Sequence, residues 1–250
     1  AGVIAYLTLT VKAVKLNQRQ SNFIDAVTHE LKSPIASLKL YLQTMTRHSV
    51  DAQQQQDFHE FMLEDVERLD LLINHLLDAA RIDRGGDIAD DELVHLDELL
   101  KQCGSAICVR YRLPEETVTL DSDHILIRSR LIQLEILFRN LIDNAVKYAG
   151  STPEIKIRAR LTDGQKVVVS IIDNGPGIPA NQRRKIFGRF IRLGNELERS
   201  TPGTGLGLYL VRNVVKSLGG AIRLQDREMG TGTEFKVTLN GVVPPETAGT

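Results

Sequence analysis

The chain has no tryptophan, two cysteines and a net charge of only −1 over its 250 residues. Each shortage excludes something. A near-neutral balance speaks against a dedicated nucleic-acid binder, which carries a basic excess. Cys103 and Cys108 lack the spacing of a thiolate metal site and fit small, buried residues in a reducing compartment. No low-complexity tract or internal repeat is evident. There is no Walker A sequence and no GxGxxG, so neither a P-loop nor a dinucleotide fold is implied. The apolar opening, AGVIAYLTLTV, is short of the roughly 20 residues of a complete membrane span. Lys12, Lys15 and Arg19 follow it with no acid before Asp25. That order suits the last part of a span with cytoplasmic residues after it. It also suits a helix that packs on a partner.

What is present is ordinary in bulk: 42% hydrophobic and 25% charged residues, enough chain for one or two domains. The pattern is more informative. Ile24, Val27, Leu31, Ile35, Leu38, Leu42 and Met45 recur in steps of three and four, one face of a helix that Leu16 and Phe23 could extend backwards. The polar HSVDAQQQ begins a turn. Phe58, Met62, Val66, Leu69, Ile73, Leu76 and Ala80 form a second stripe, ended by Gly85-Gly86. Two such helices make an antiparallel hairpin, and pairing with a second copy as a four-helix bundle buries both stripes. RGGDIADDE reads as a linker. Beyond it the pattern is mixed: a helix over 97–111, short strands over 117–120 and 124–127, and a helix over 130–148 with Ser129 as its N-cap. Strands 155–161 and 166–172 join through an Asp163-Gly164 turn. A helix over 205–218 and a second hairpin, AIRLQ to TEFKVTL, complete an α+β layer with helices on one face of a sheet.

Several residues contradict a purely structural reading. At about 100° per residue, His29 falls roughly 160° from the centre of its helix's apolar stripe, so it faces water. Glu30 is beside it and Ser33 one turn on. Pro34 has no N–H, so the Glu30 carbonyl loses its helical partner. An exposed imidazole with a carboxylate to hold its other ring proton is a nucleophile. Asn140, Asn144 and Lys147 lie at i, i+4 and i+7 on the polar side of a helix, although Asn is a poor mid-helix choice. That trio suits phosphates and Mg²⁺. VVVSIIDNGPGIP is a strand ending in Asp173, where a carboxylate can accept from an exocyclic amine and the glycines Gly175 and Gly177 admit a flat ring. PGTGLGLYLV sets Gly203, Gly205 and Gly207 just before a helix, whose first N–H groups favour anions. GTGT lies in the last hairpin turn.

Together these segments resemble a sensor histidine kinase of bacterial two-component signalling. FIDAVTHELKSPI resembles the H-box, FRNLIDNAVKYA the N-box, DNGPGIP the G1 box, KIFGRF the F-box, GTGLGL the G2 box and GTGT a short G3 element, in the family's order from about residue 20 to 240. The resemblance implies a multidomain α and α+β fold: a helical hairpin forming a dimeric four-helix bundle, then an α/β-sandwich ATP-binding domain of the Bergerat or GHKL type. It implies boundaries at 1–20 for a membrane-proximal signalling helix, 21–86 for dimerisation and phosphotransfer, 87–93 for a linker, 94–241 for ATP binding and 242–250 for a tail.

It also implies roles. His29 is the expected phosphoacceptor and Glu30 the base, with ATP and Mg²⁺ as cofactors. Asn140 is expected to hold Mg²⁺, and Asn144 and Lys147 to touch phosphates. Tyr148 is expected near the adenine, Asp173 on its amino group, and Gly175, Gly177 and Thr233 in the same pocket. Gly203, Thr204, Gly205, Leu206 and Gly207 are expected against phosphates, and Arg192 against the γ-phosphate. Phe187 and Phe190 would anchor a lid over about 180–203. The implied partners are a second copy, a response regulator receiver domain and, through an upstream sensor region, the bacterial inner membrane, with this portion cytoplasmic; nucleic acid is not among them. Two positions depart from the family. Ser33 stands where Thr or Asn is frequent, which bears on the reverse, phosphatase reaction. Arg130 stands where Asp is common, with Ser129 expected to take over capping. Chaperone- and topoisomerase-like ATPases share the N-box and G boxes but lack the H-box hairpin. A non-catalytic nucleotide-switched scaffold is the remaining alternative.

Overall fold

The structure is a computed structural model and describes residues 2–84, 91–162, 165–192 and 204–243. These residues fall into two compact units, divided within one helix between Ile73 and Asn74.

The first unit is built from helix α1 (Gly2–Arg47) and most of α2 (Ala52–Arg84). α1 runs without a break from the apolar opening through the His29 region, and Pro34 lies inside it, buried. Among the described residues no helix is long and apolar enough to cross a membrane. The turn is shorter than the polar stretch suggested, because Asp51 begins a capping box. Its Oδ1 accepts from the Gln54 N–H at 2.7 Å, and Gln54 Oε1 accepts from the Asp51 N–H at 3.3 Å. The glutamines are therefore already helical. Tyr41 packs on Phe58 and Phe61, with ring centroids 5.3 and 5.8 Å apart, fastening the two helices near the turn. The expected end of α2 at Gly85-Gly86 lies outside the described residues.

In the second unit a two-stranded antiparallel ribbon pairs β1 (Glu92–His95) with β3 (Leu126–Ser129). A five-stranded sheet has the order β2-β4-β5-β7-β6, from β2 (Val118–Ser122), β4 (Ile155–Thr162), β5 (Lys166–Ile172), β6 (Ala221–Asp226) and β7 (Thr233–Asn240). β2 joins β4 in parallel; the other pairs are antiparallel. Alternation decides which face is covered. Ile155, Ile157 and Ala159 on β4, Val167, Val169 and Ile171 on β5, and Phe235, Val237 and Leu239 on β7 are all buried. Helices α3 (Leu96–Tyr111), α4 (Leu131–Tyr148) and α5 (Gly207–Ser217) contribute Leu100, Leu134, Phe138, Leu141, Val211 and Val214 to the same core.

Three local expectations need correction. Ser129 does not cap α4: it ends β3, paired with Glu92, and the cap position is Arg130, which makes no side-chain capping bond. Strand β1 begins at Glu92, inside the stretch read as a linker, because only pairing with β3 makes ELVH a strand. The strands read at 117–120 and 124–127 sit one or two residues later, as their partners set the register. The Asp163-Gly164 turn lies outside the described residues, though Thr162 and Lys166 pair across it.

Asp51→Ala should lower the stability of the helical unit by about 1 kcal/mol, while Asp51→Asn should be close to neutral. Thermal or urea unfolding of the two variants checks this.

Candidate functional site

In the helical unit His29 is exposed on α1 and Ser33, one turn on, is exposed as well. Glu30 is half-buried, and its Oε2 accepts from Arg68 Nη2 of α2 at 2.8 Å. The carboxylate next to His29 in sequence is thus held by the second helix, a contact no local pattern announces. Arg68 Nε is buried with no hydrogen bond, so the guanidinium is committed to this corner at some cost.

Apart from Thr204, which falls with the first unit, the described remaining candidates belong to the second unit, most of them near the ends of α4, β5, β7 and α5. Asp173 follows β5 and is 4% exposed. Its Oδ1 accepts from the N–H groups of Gly175 at 2.9 Å and Thr233 at 3.0 Å, and its own N–H donates to the Thr233 carbonyl at 3.0 Å. Burial pushes the carboxyl above its usual range, against the pull of those two N–H groups and of Arg227. The glycines here are steric necessities. A Cβ on Gly175 would stand 2.4 Å from the Tyr148 carbonyl oxygen. One on Gly232 would stand 2.0 Å from the Asp173 carbonyl oxygen, in a backbone with φ of 146°. Thr233 is buried beside it, Gly177 is half-buried, and Tyr148 is exposed at the end of α4.

Asn140 is buried and donates from Nδ2 to the Ile136 carbonyl at 2.7 Å, which turns its Oδ1 toward α5. A Cβ on Gly207 would lie 2.8 Å from that Oδ1, so the glycine lets the start of α5 approach the amide. No side chain caps α5 at Leu206, and its first N–H groups face the neighbourhood of Asn140. Thr204 and Leu206 are buried, and Gly205 has a φ of 68°. Asn144, one turn beyond Asn140, keeps a buried Nδ2 with no hydrogen-bond partner. Lys147 Nζ meets Asp143 Oδ2 at 2.6 Å, and Asp143 Oδ1 accepts from the Tyr111 hydroxyl at 2.8 Å. The expected stripe of Asn140, Asn144 and Lys147 is therefore present, with its ammonium already positioned by Asp143. An orphaned buried amide, an amide oxygen opened by a glycine and an uncapped helix start fit a phosphate chain with its divalent ion.

Phe187 packs edge-on against Phe235, with centroids 6.5 Å apart, and Phe190 adopts a φ of 58°. Arg192 is half-buried at the edge of the described residues; Gly203 and the later part of the expected lid, 193–203, lie outside them.

Residues missed from sequence lie mostly on α2, whose last part, from Asn74, belongs to this second unit. His75 is buried, and its ring bonds the Asn140 side chain. Asp78, nearly buried, accepts from Arg139 Nη2 of α4 at 3.1 Å. Their only sequence signal was polarity inside the apolar run LLINHLLDAA. Burial, followed by the Lys147 charge, pushes the His75 imidazole down to about 4.

Two outcomes follow for the protein free of metal and nucleotide. The folded His75 resists a proton that the unfolded chain accepts near 6.5, so stability falls as pH drops from about 6.5 toward about 4. His75→Gln should flatten that slope, removing a loss of at most about 3 kcal/mol in urea unfolding across this window. Asp173, raised in the fold, favours folding at low pH, and that contribution is lost as pH rises through its folded value. Asp173→Asn keeps both accepted N–H bonds without the buried charge, so at neutral pH it should unfold no more easily than the natural protein.

Known proteins share this arrangement. The family model described as "His Kinase A (phospho-acceptor) domain" matches residues 19–85, and that described as "Histidine kinase-, DNA gyrase B-, and HSP90-like ATPase" matches 130–242. The chain is 33% identical to the sensor protein KdpD of Escherichia coli (strain K12), over 98% of this chain and 28% of that protein. It is 28% identical to the signal transduction histidine-protein kinase ArlS of Staphylococcus aureus (strain USA300), over 88% of this chain and 48% of that one. The chain thus spans half or less of the length of these two relatives. Among solved structures, histidine kinase ThkA in complex with response regulator protein TrrA shares the fold, with a TM-score of 0.69 at 21% identity, over 92% of this chain and 65% of that one. With a phospho-acceptor hairpin and an ATPase-type domain in one chain, this protein belongs to the sensor histidine kinases.

Proposed function

We infer that this chain is the ATP-dependent protein-histidine kinase portion of a two-component sensor. His29 Nε2 attacks the γ-phosphorus of ATP, the bond to the β,γ-bridging oxygen breaks, and ADP leaves. The proton on Nδ1 of the phosphorylated ring passes to Glu30. The phosphoryl group then moves from Nε2 to an aspartate carboxylate of a response regulator receiver domain, and the proton held by Glu30 goes back to Nδ1, which returns His29 to its neutral form. Such a transfer is largely positioning and charge neutralisation.

The observation that carries this reading is the buried, partnerless Nδ2 of Asn144 on the stripe it shares with Asn140 and Lys147. A buried donor is prepared there with no protein acceptor. In this reading Asn144 and Lys147 bind phosphate oxygens, and Asp143 with Tyr111 fixes the ammonium. Gly205, Leu206 and Gly207 offer backbone N–H groups, continued by Gly203 and Thr204. Asp173 accepts from the adenine amino group, with Tyr148, Gly175, Gly177 and Thr233 around the ring. Asn140 would hold Mg²⁺ through Oδ1; when bound, the ion neutralises phosphate charge. Arg192 meets the charge that develops on the γ-phosphate. Ser33 can hold a water for the reverse, phosphatase reaction, less firmly than a threonine.

The reading includes a homodimer. Ile24, Ile35 and Leu42 of α1 and Val66 and Ile73 of α2 expose about half of their surface in the single chain, and a four-helix bundle would cover them. It also includes the division into 1–20, 21–86, 87–93, 94–241 and 242–250, a lid over 180–203, and a place on the cytoplasmic side of the bacterial inner membrane beneath a sensor region.

Incubation with γ-labelled ATP and Mg²⁺ should give an acid-labile, alkali-stable label that is absent in His29→Ala. Asp173→Asn should lose nucleotide binding while staying folded, and Arg68→Ala should slow labelling with little change in nucleotide affinity. Nucleotide binding without any label in the natural protein would instead favour a nucleotide-switched scaffold.

A further inference from the structure

The second unit carries a cluster of ligating side chains that shares no residue with the nucleotide site. His95 ends β1, Asp97 lies in the first turn of α3, and His124 lies between β2 and β3. Backbone pairing brings them together. His95 faces Leu126 in the β1–β3 ladder, and the Leu96 N–H donates to the Ile125 carbonyl at 2.9 Å. Val94, Leu96, Ile125 and Ile127 are buried on the inner side, which turns His95 and His124 outward together. Their ring centroids are 5.6 Å apart and the planes tilted by 35°. His124 Nδ1 is 2.8 Å from Asp97 Oδ2, and one ligand atom from each of the three residues lies within 4.8 Å of the others.

We propose that His95, Asp97 and His124 form a binding site for a late first-row divalent cation of the Zn²⁺ class. Two imidazoles and one carboxylate are a borderline donor set, suited to Zn²⁺ and poorly suited to Mg²⁺, which takes oxygen ligands in an octahedron. Metal–ligand bonds of about 2.0–2.2 Å place tetrahedral ligand atoms about 3.3 Å apart. The His124–Asp97 pair opens slightly to reach that spacing, and His95 closes inward. Both rings are exposed, so rotation meets little packing. Two features support a ligand role. His95 occupies the cap position of α3 yet makes no capping hydrogen bond. The second Asp97 oxygen, Oδ1, is buried with no hydrogen bond of good geometry, while Oδ2 is turned to His124. Two of the chain's six histidines thus converge on one aspartate. A bound ion would clamp the β1–α3 junction to the turn before β3, with water completing the coordination.

The simpler account is a hydrogen-bonded His124–Asp97 pair beside an uninvolved His95, so His95 decides between the two. Isothermal titration of the full chain with Zn²⁺, free of Mg²⁺ and nucleotide, should show one ion at this site and a raised melting temperature. His95→Ala and His124→Ala should each weaken that binding by about 100-fold or more, since even residues that only orient ligands cost 10–100-fold. Both variants should keep the natural far-ultraviolet circular dichroism. Co²⁺ should report a tetrahedral spectrum that the same variants lose. Absence of saturable Zn²⁺ binding would overturn the proposal. So would binding that survives in both variants, which would place the ion on other histidines, or loss in His124→Ala alone with His95→Ala unaffected.

Discussion

The catalytic unit depends on one buried carboxylate oxygen. Asp173 Oδ1 takes the Gly175 and Thr233 N–H groups at once, so the end of β5, the glycine turn after it and the start of β7 meet at a single atom. Everything close to that atom is backbone. The Tyr148 carbonyl from α4 and the Gly232 peptide from the last hairpin approach so tightly that only glycine fits at 175 and 232. The acid is held where burial disfavours its charge, a cost that a site accepts when the charge has a task. The bonds that fix the carboxylate also join β5, the glycine turn and β7 to one another.

The place where α4 meets α5 is organised differently. There the sheet plays little part, and α4 faces the uncapped start of α5. Asn140 Oδ1 and the Gly207 backbone approach because no side chain intervenes. The Lys147–Asp143–Tyr111 chain of contacts fixes an ammonium that would otherwise wander with its long stem. The last part of α2 adds His75 and Asp78 to the same helix face. These residues lie in the part of α2, from Asn74, that belongs to this unit.

Much of this was legible in order. The two helical stripes, the outward His29 and the glycine-rich segments are local patterns whose periods and spacings survive folding unchanged. Other features were not. Ser129 reads as a cap, but a cap needs a free chain before it, and pairing with Glu92 draws that residue into β3. Glu92, the first residue of ELVH, reads as the end of a linker because its partner strand lies more than thirty residues on. Glu30 reads as a free carboxylate, because Arg68 reaches it only across the hairpin.

By itself the sequence determined the family, the order of the two units and the candidate residues of the site, because periodicity, turn residues and short motifs act over a few positions. The tertiary structure alone decided which groups those residues meet. Tyr111 on Asp143, Arg68 on Glu30, His75 on Asn140 and the meeting of His95, Asp97 and His124 join positions on different elements. Such contacts are set by strand register and helix packing, which depend on the whole core rather than on any local stretch of chain.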